Sequence, residues 1–304
     1  MSVMLFINTY YFLYCKIICF LVCAELGEGT KESALRVIGG RDAKPSEFPF
    51  VVIMLHRKTY KFLQKTKISH TSLCTASVIT PIWSLTAAHC LSDFSGVNPC
   101  LEPIDIPMKD NEIMQIFLCI VISYGSSKSE LNDNKVYSRV LSLLRVPQNY
   151  YAAEFQNDVA LLKTEPIAIN SYGKISAVEL SSLYGHEVWA MGYGKTNSSD
   201  RKINDTWSLN KSLQVVKVML TRCNDDSLEV DMILLCAAHK CGEPAFLCRG
   251  DSGGPLIHSS GIVAINSKAI IRQCHMNDNR RRFPLVVQLQ PISPFVDWIE
   301  NQWS

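Results

Sequence analysis

Short apolar runs separated by turn-rich stretches fill the sequence beyond Arg36. Gly, Pro, Asn and Ser punctuate these runs, and helical periodicity is scarce. The exception is residues 294–303, where Pro294 stands near the start of a predicted C-terminal α-helix. The pattern predicts an all-β barrel or sandwich. Its predicted strands are residues 50–55, 77–80, 116–124, 140–146, 159–162, 188–191, 213–220, 255–258 and 261–265.

The amino-terminal leader is mostly apolar over residues 1–24 and ends before the polar stretch that begins at Glu25. Val22 and Ala24 suit a cleavage site, so residues 1–24 are predicted to be a signal peptide and residues 25–36 a propeptide. A cleaved signal predicts a secreted, extracellular protein. Because Lys16 lies inside the apolar run and no basic segment precedes it, an uncleaved membrane anchor is the alternative.

Composition narrows the classes of function. The chain has 304 residues, 47% apolar and 19% charged, and its 30 basic residues nearly balance 28 acidic ones, which gives no reason to expect nucleic acid as a partner. Of the 12 cysteines, three lie in the leader, which leaves nine (the leader cysteines are Cys15, Cys19 and Cys23). Their dispersed spacing predicts disulfides in an oxidising compartment rather than a zinc site, and an odd count leaves at least one thiol over.

Three short motifs carry the parts of a serine hydrolase. Residues 86–90 (Thr-Ala-Ala-His-Cys) contain His89, residues 157–162 (Asn-Asp-Val-Ala-Leu-Leu) contain Asp158, and residues 250–255 (Gly-Asp-Ser-Gly-Gly-Pro) contain Ser252. Peptide hydrolysis by serine needs a hydroxyl nucleophile, an imidazole base, a carboxylate that orients the imidazole, and N–H donors for the oxyanion. This chemistry requires no metal and no organic cofactor.

The three motifs, in the order His, Asp, Ser, resemble those of the chymotrypsin and trypsin family of serine proteases. Residues 36–40 (Arg-Val-Ile-Gly-Gly) and 297–299 (Asp-Trp-Ile) extend the resemblance over residues 37–303. It implies two six-stranded antiparallel β-barrels with a C-terminal α-helix and a serine endopeptidase that works through an acyl-enzyme. The protease domain would be residues 37–304, with the N-terminal barrel at about 37–180 and the C-terminal barrel and helix at about 181–304.

The resemblance assigns roles within these motifs. His89, Asp158 and Ser252 would form the catalytic triad, and the N–H groups of Gly250 and Ser252 the oxyanion hole. Cleavage after Arg36 would activate a zymogen. The new α-amino group of Val37 would then pair with Asp251. Expected partners are protein or peptide substrates, an activating protease of trypsin-like specificity and proteinaceous inhibitors, and the protein is expected to be a monomer.

The resemblance also implies disulfides. Cys74 and Cys90 match the bridge beside the histidine, and the C-terminal barrel would hold two more, Cys223–Cys236 and Cys248–Cys274. Three cysteines remain, and their pairing is open: Cys100 with Cys119 could close an insertion, which would leave Cys241 over.

The specificity pocket departs from the trypsin pattern. Phe246, six residues before Ser252, stands where trypsin-like members carry an aspartate, and Leu247 follows it. The pocket wall is assigned to Ala264, Ile265 and Asn266, where the family commonly has Ser-Trp-Gly. An apolar base predicts a small or apolar P1 residue. Ala264 would also lack the hydroxyl that helps to hold the catalytic aspartate, which predicts slower catalysis rather than its loss. The altered pocket and the long loops leave a catalytically weak or inactive homologue with a binding role as the alternative.

Three further segments are distinctive. His89 and Asp158 lie 69 positions apart, which indicates an insertion near residues 92–115 that would restrict access to the cleft. Residues 57–70 are interpreted as an enlarged basic loop, either merely solvated or able to steer an acidic partner. Residues 197–212 carry three glycosylation sequons, which predict an exposed loop of a secretory glycoprotein, at Asn197, Asn204 and Asn210.

Overall fold

The computed structural model describes residues 40–94, 98–108, 113–125, 136–145, 157–194, 212–223, 235–238, 250–268 and 287–302. Almost all of its regular structure is antiparallel β-sheet, arranged in two sheets. Among the described residues, none of the helices has the length and apolar character needed to cross a bilayer.

The first sheet closes into a barrel because β2 pairs with β6, which joins the two ends of a six-stranded ring. Around the ring the order is β2-β3-β4-β8-β7-β6, and β5 adds a seventh strand on the free edge of β6. The strands are β2 (Val51–Phe62), β3 (Lys65–Thr80), β4 (Trp83–Thr86), β5 (Ile104–Pro107), β6 (Ile113–Tyr124), β7 (Val136–Arg145) and β8 (Ala160–Thr164).

The second sheet closes in the same way through the pairing of β10 with β9. Its ring has the order β10-β11-β14-β13-β12-β9, and the two-residue strand β1 adds to β10. The strands are β1 (Arg41–Asp42), β9 (Glu187–Gly192), β10 (Gln214–Thr221), β11 (Leu235–Ala238), β12 (Pro255–His258), β13 (Gly261–Lys268) and β14 (Val287–Pro291). The predicted pair of six-stranded antiparallel barrels is confirmed.

Alternating burial explains why these segments are strands. In β10, Lys217 and Met219 are exposed while the residues between and around them are buried, so one face of the strand packs inward. The nine predicted strands all fall on observed ones. A turn of 3-10 helix, Ser293–Phe295, precedes the C-terminal α-helix Val296–Glu300, which is shorter than predicted. Phe295 of the 3-10 turn and Ile299 of the α-helix belong to the core cluster of the first barrel. The C-terminal end of the described chain therefore packs against the N-terminal barrel.

The interpretation of residues 57–70 as a loop is wrong. β2 and β3 form one continuous hairpin, paired from Val51–Ser77 out to Phe62–Lys65 with a register shift beside Leu55. Only Leu63 and Gln64 make the turn. Lysines are poor strand formers, but the cross-strand hydrogen bonds and the second neighbour β6 outweigh that preference.

An ion pair ties the start of the described chain to the turn that follows β1. Arg41 Nη1 lies 2.8 Å from Glu47 Oε2, and the Lys44 backbone N–H donates to the same oxygen at 2.8 Å. These hydrogen bonds, Arg41's first, lower the pKa of Glu47 from its ordinary 4.5 to about 2.

Glu47→Gln should therefore reduce the free energy of unfolding at pH 7 by about 0.5–1 kcal/mol, a modest amount because Arg41 is exposed to solvent. Since the folded-state pKa is depressed, the stabilisation is present above about pH 4.5 and is lost as the pH falls toward 2. Denaturant unfolding of both proteins from pH 7 to pH 2.5 should show their stabilities converging. Glu179→Gln, at an exposed carboxylate outside the described ion pairs, should show no such trend, and a constant gap for Glu47→Gln would contradict the assignment.

Candidate active site

His89 is held at the end of β4 by a short 3-10 helix, Ala88–Leu91. The neighbouring Cys90 forms a disulfide with Cys74 of β3, with the two Cα atoms 6.2 Å apart. The imidazole is 21% exposed, so one side faces solvent while the other meets a buried carboxylate. The predicted pairing of Cys74 with Cys90 is therefore present and ties the residue that follows the histidine to β3.

Asp158, just before β8, is fully buried and is surrounded by donors. Its Oδ1 accepts the backbone N–H of His89 at 2.7 Å, and its Oδ2 lies 2.7 Å from His89 Nδ1. Its own N–H donates to Gln290 Oε1 of β14 at 3.0 Å. Both oxygens thus have partners, which offsets the cost of burying the charge and fixes the imidazole with Nδ1 toward the carboxylate.

Ser267 supplies a further hydrogen bond that the sequence interpretation missed. Its Oγ donates to Asp158 Oδ2 at 2.6 Å, and the hydroxyl is buried. Ala264 was assigned to the position that faces Asp158, which predicted that no hydroxyl holds this aspartate. That prediction is wrong, because Ser267, three residues further along the chain, supplies the hydroxyl. A signal existed in the sequence, since Ser267 is the only hydroxyl residue of β13.

The wall assigned to Ala264, Ile265 and Asn266 is corrected by the same observation. All three are buried: Ala264 packs in the core of the second barrel, and Ile265 joins the core cluster of the first. The Asn266 amide donates to the carbonyls of Met191 and Asp251, at 3.2 and 3.0 Å. These side chains support the strand and the serine segment from within. Phe246 and Leu247, predicted at the base of the pocket, lie outside the described residues.

Ser252 lies in a turn that is hydrogen-bonded to both barrels. Its carbonyl accepts the N–H of Thr75 from β3 at 2.9 Å, and Gly253 donates to the carbonyl of Asn266 on β13 at 2.8 Å. Thr75 also donates through Oγ1 to the Gly250 carbonyl at 2.8 Å. Because Thr75 adjoins the cysteine that is bonded to Cys90, these bonds bring the serine segment beside the histidine segment.

Glycine is required at two points in this turn. Gly250 has φ +101° and Gly253 has φ +76°, backbone conformations that L-residues with a side chain rarely adopt. A Cβ on Gly253 would also lie against the backbone, 2.9 Å from the nitrogen of Ala87 and 2.5 Å from the oxygen of Thr75. Gly253 therefore allows the close approach of the serine turn to the backbone that leads to His89.

Asp251 is buried next to the serine, and its carboxylate lies against two glycines of the preceding strand region. Its Oδ1 accepts the N–H of Gly194 at 2.7 Å. A Cβ on Gly192 or Gly194 would overlap this carboxylate. Arg36 and Val37, the predicted activation site, lie outside the described residues, so the structure does not test the pairing of Val37 with Asp251.

Of the remaining predicted site residues, some lie within the described part of the chain and others lie outside it. The structure contains the Cys100–Cys119 disulfide, one of the pairings that the sequence left open, and the Cys223–Cys236 disulfide. Cys241, Cys248 and Cys274 lie outside the described residues, as do the three predicted glycosylation sites, Asn197, Asn204 and Asn210. Within the described part of the chain, the group of metal-ligand side chains that lies close together is Cys74, His89 and Cys90. Its two sulfur atoms are already bonded to each other, so this group offers an ion only the imidazole.

This fold and this site are those of a serine protease. A family model described as Trypsin matches residues 37–299, so the chain belongs to the trypsin family. The chain is also 27% identical over 250 residues to coagulation factor XII of Rattus norvegicus. That match covers 80% of this chain but 36% of the relative, so the chain spans about a third of that protein's length.

Proposed function

We propose that this protein is a secreted serine endopeptidase, made as a zymogen, that hydrolyses peptide bonds through an acyl-enzyme. The observation that carries the proposal is the buried carboxylate of Asp158, which lies 2.7 Å from Nδ1 of a partly exposed histidine. A carboxylate at this nitrogen favours the tautomer that carries the ring proton on Nδ1, in which Nε2 has the lone pair that accepts a proton.

The proposed reaction begins with attack of Ser252 Oγ on the scissile carbonyl carbon while its proton passes to His89 Nε2. The imidazolium that forms is stabilised by the charge of Asp158, and the oxyanion by the N–H groups of Gly250 and Ser252. His89 then gives the proton to the leaving amine, which breaks the peptide bond and leaves an acyl-enzyme. Water, activated by the same imidazole, releases the acid and restores Ser252.

Substrate preference is proposed to be non-tryptic. Phe246 and Leu247 offer no acid to a cationic P1 side chain. With Ser267 at Asp158, the two residues that follow it in the sequence are Lys268 and Ala269, where the family commonly has Trp and Gly. A methyl group in place of the glycine hydrogen would narrow the pocket, which favours a small P1 side chain.

The proposal includes activation by cleavage of the chain and secretion through a cleaved signal peptide. Cleavage after Arg36 by a protease of trypsin-like specificity would free Val37 to reach Asp251, whose burial makes it a suitable acceptor for an ammonium group. The apolar leader 1–24, the disulfides and the likeness to a coagulation factor support a secreted protein with a cleaved signal peptide. Amino-terminal sequencing of material from the medium should begin after Ala24, and retention of Met1 would contradict secretion by this route.

The experiment that tests the proposed activity is active-site labelling. Purified protein is cleaved after Arg36, a Val37 amino terminus is verified, and a broad serine-directed fluorophosphonate is added. Labelling is expected in the cleaved wild-type protein and absent in cleaved Ser252→Ala. If cleaved wild-type protein is not labelled, the endopeptidase proposal fails and the homologue with a binding role is favoured.

Ser267→Ala should reduce kcat about threefold to tenfold and leave KM nearly unchanged, because it removes one hydrogen bond worth about 0.5–1.5 kcal/mol from the carboxylate that orients His89. Steady-state kinetics on a peptide substrate, normalised by fluorophosphonate titration, would measure this. Ala264→Ser is the matched comparison: it adds a hydroxyl inside the packed second barrel, so it should lower stability without improving kcat. An improved kcat in Ala264→Ser would contradict the assignment of Ser267 as the hydroxyl that holds Asp158.

A further inference from the structure

Beyond the first barrel, four strands continue as a projecting sheet, here called the wing, which comprises residues 57–70, 104–107 and 113–118. β2 stays paired with β3 as far as Phe62–Lys65 and with β6 as far as Phe62–Met114. β5 pairs with the other side of β6. At about 3.4 Å per residue the hairpin reaches roughly 17 Å past Arg57.

Exposed aliphatic side chains gather at the far end of the wing. Leu63 is 72% exposed, Ile113 is 55% exposed and Met108 is 43% exposed. The register places them together, because Phe62 faces Met114 across one strand pair and Pro107 faces Ile113 across the next. Most of the exposed large apolar residues in the described part of the chain belong to the wing or adjoin it, namely Leu63, Ile68, Ile104, Met108 and Ile113.

Leu63 is also held in an unfavourable backbone conformation. It occupies the two-residue hairpin turn with φ +53°, where Gly or Asn would be less strained. The left-handed conformation costs a residue with a Cβ about 1–2 kcal/mol. Folding therefore gains nothing from this leucine: its backbone is strained and its side chain is in water. Both costs would be offset if the side chain is buried in a partner.

Positive charge lies on the hairpin side of these apolar side chains, whereas the connection between β5 and β6, residues 109–112, contains Asp110 and Glu112 and lies outside the described residues. Residues 57–70 contain Arg57, Lys58, Lys61, Lys65 and Lys67 and no acidic residue. Lys61 pairs with Thr66, and Lys65 pairs with Phe62 one step further along, so these two lysines project from opposite faces of the hairpin. No described ion pair involves a wing lysine. The acidic residue of the wing, Asp105, lies on β5 and accepts a hydrogen bond from Gln115 at 3.1 Å.

From this arrangement we propose that the end of the wing docks on an anionic phospholipid surface. Leu63, Ile113 and Met108 would enter the boundary between headgroups and acyl chains, while lysines on both faces of the hairpin contact lipid phosphates. A soluble polyanion would use the lysines but would leave the Leu63 side chain in water. The combination of an apolar tip and flanking cations therefore favours a lipid surface. This inference does not depend on catalysis, so the Ser252→Ala chain can be used to test it.

The test is flotation of the full secreted chain with vesicles of phosphatidylserine and phosphatidylcholine in about a 3:7 ratio, against vesicles of phosphatidylcholine alone. Binding is expected on the mixed vesicles and at least tenfold weaker on phosphatidylcholine. Lys61→Gln/Lys65→Gln/Lys67→Gln should weaken binding to the mixed vesicles at least tenfold. Leu63→Asn should weaken it severalfold without loss of stability, since asparagine tolerates the left-handed turn.

Matched controls remove equal charge and equal apolar surface elsewhere. Lys44→Gln/Lys163→Gln/Lys174→Gln neutralises three exposed lysines outside the wing, and Leu141→Asn removes an exposed leucine from β7. Both should bind the mixed vesicles within twofold of the unmodified chain. Thermal unfolding of every variant verifies that differences in binding are not differences in folding.

Three results would overturn the proposal. Equal flotation with both kinds of vesicle would show binding that does not require anionic lipid, such as binding by a retained leader. Equal weakening in the two triple-lysine variants would show a general charge effect. Retained binding of Leu63→Asn to the mixed vesicles, together with lysine-dependent retention on immobilised heparin, would indicate a polyanion site rather than a lipid-docking tip.

Discussion

Asp158→Asn is expected to lower kcat of the activated protein by about 10³- to 10⁴-fold while leaving the fold intact. The substitution is nearly isosteric, so Oδ1 can still accept the backbone N–H of His89. An amide nitrogen at the other position must donate to His89 Nδ1, which moves the ring proton to Nε2. The imidazole then presents an N–H to Ser252 in place of a lone pair and cannot accept its proton.

The measurement is kcat on a peptide substrate at pH 7, with Ser252→Ala as the floor. Ser267→Ala is the graded comparison, because it removes a partner of the same carboxylate but keeps its charge. Thermal unfolding within a few degrees of the unmodified protein should show that the loss is chemical. A kcat for Asp158→Asn within tenfold of the unmodified value would contradict the role of Asp158 in fixing the imidazole.

Gly253→Ala is expected to destabilise the protein by about 3 kcal/mol and to abolish fluorophosphonate labelling. Part of the cost is backbone strain at φ +76°. The larger part is steric, because the new Cβ would overlap Thr86 Oγ1 and the Thr75 carbonyl, which approach the serine turn from the first barrel. Relief requires the turn to move away, which breaks the hydrogen bond from the Thr75 N–H to the Ser252 carbonyl.

The control variant Gly185→Ala separates the cost of backbone strain from the cost of steric overlap. Gly185 has φ +80°, close to that of Gly253, but nothing lies within 4 Å of a Cβ built on it. This control should therefore lose only the 1–2 kcal/mol of strain and should keep its labelling. Differential scanning calorimetry is expected to show a melting temperature lower by about 10 °C for Gly253→Ala and by about 4 °C for Gly185→Ala. Equal melting temperatures, or labelling of cleaved Gly253→Ala, would contradict the steric account.

Much of the barrel architecture could be predicted because its signals are local. The alternation of buried and exposed residues in a segment such as Gln214–Thr221 depends only on the two-residue period of a strand. The motifs around His89, Asp158 and Ser252 are equally local, since each consists of a few consecutive residues with restricted chemistry. By contrast, β1 is too short, at two residues, to show a period of its own.

The support for the buried aspartate was missed, since it depends on register between strands distant in sequence. That Ser267 is the only hydroxyl residue of β13 becomes informative only once the extent of that strand is known. Pairing along β13 shifts at two points, beside Leu256 of β12 and beside Asn266 in the pairing with β14. Each shift moves a side chain relative to its partner strand, and no local pattern marks it. Counting along the sequence therefore chose Ala264, whereas the folded strand delivers Ser267. The contact between Asp158 N–H and Gln290 spans 132 positions and was missed for the same reason.

Local sequence was enough to assign the class of this protein, through the order of its three motifs, most strands of the two barrels and the cysteine beside the histidine. Only the tertiary structure decided which hydroxyl holds the aspartate, that Cys100 pairs with Cys119, and that residues 57–70 form a projecting hairpin rather than a loop. The physical reason is the same in each case. Chemistry and strand period are properties of neighbouring residues, whereas pairing partners and register arise only when distant strands hydrogen-bond to one another.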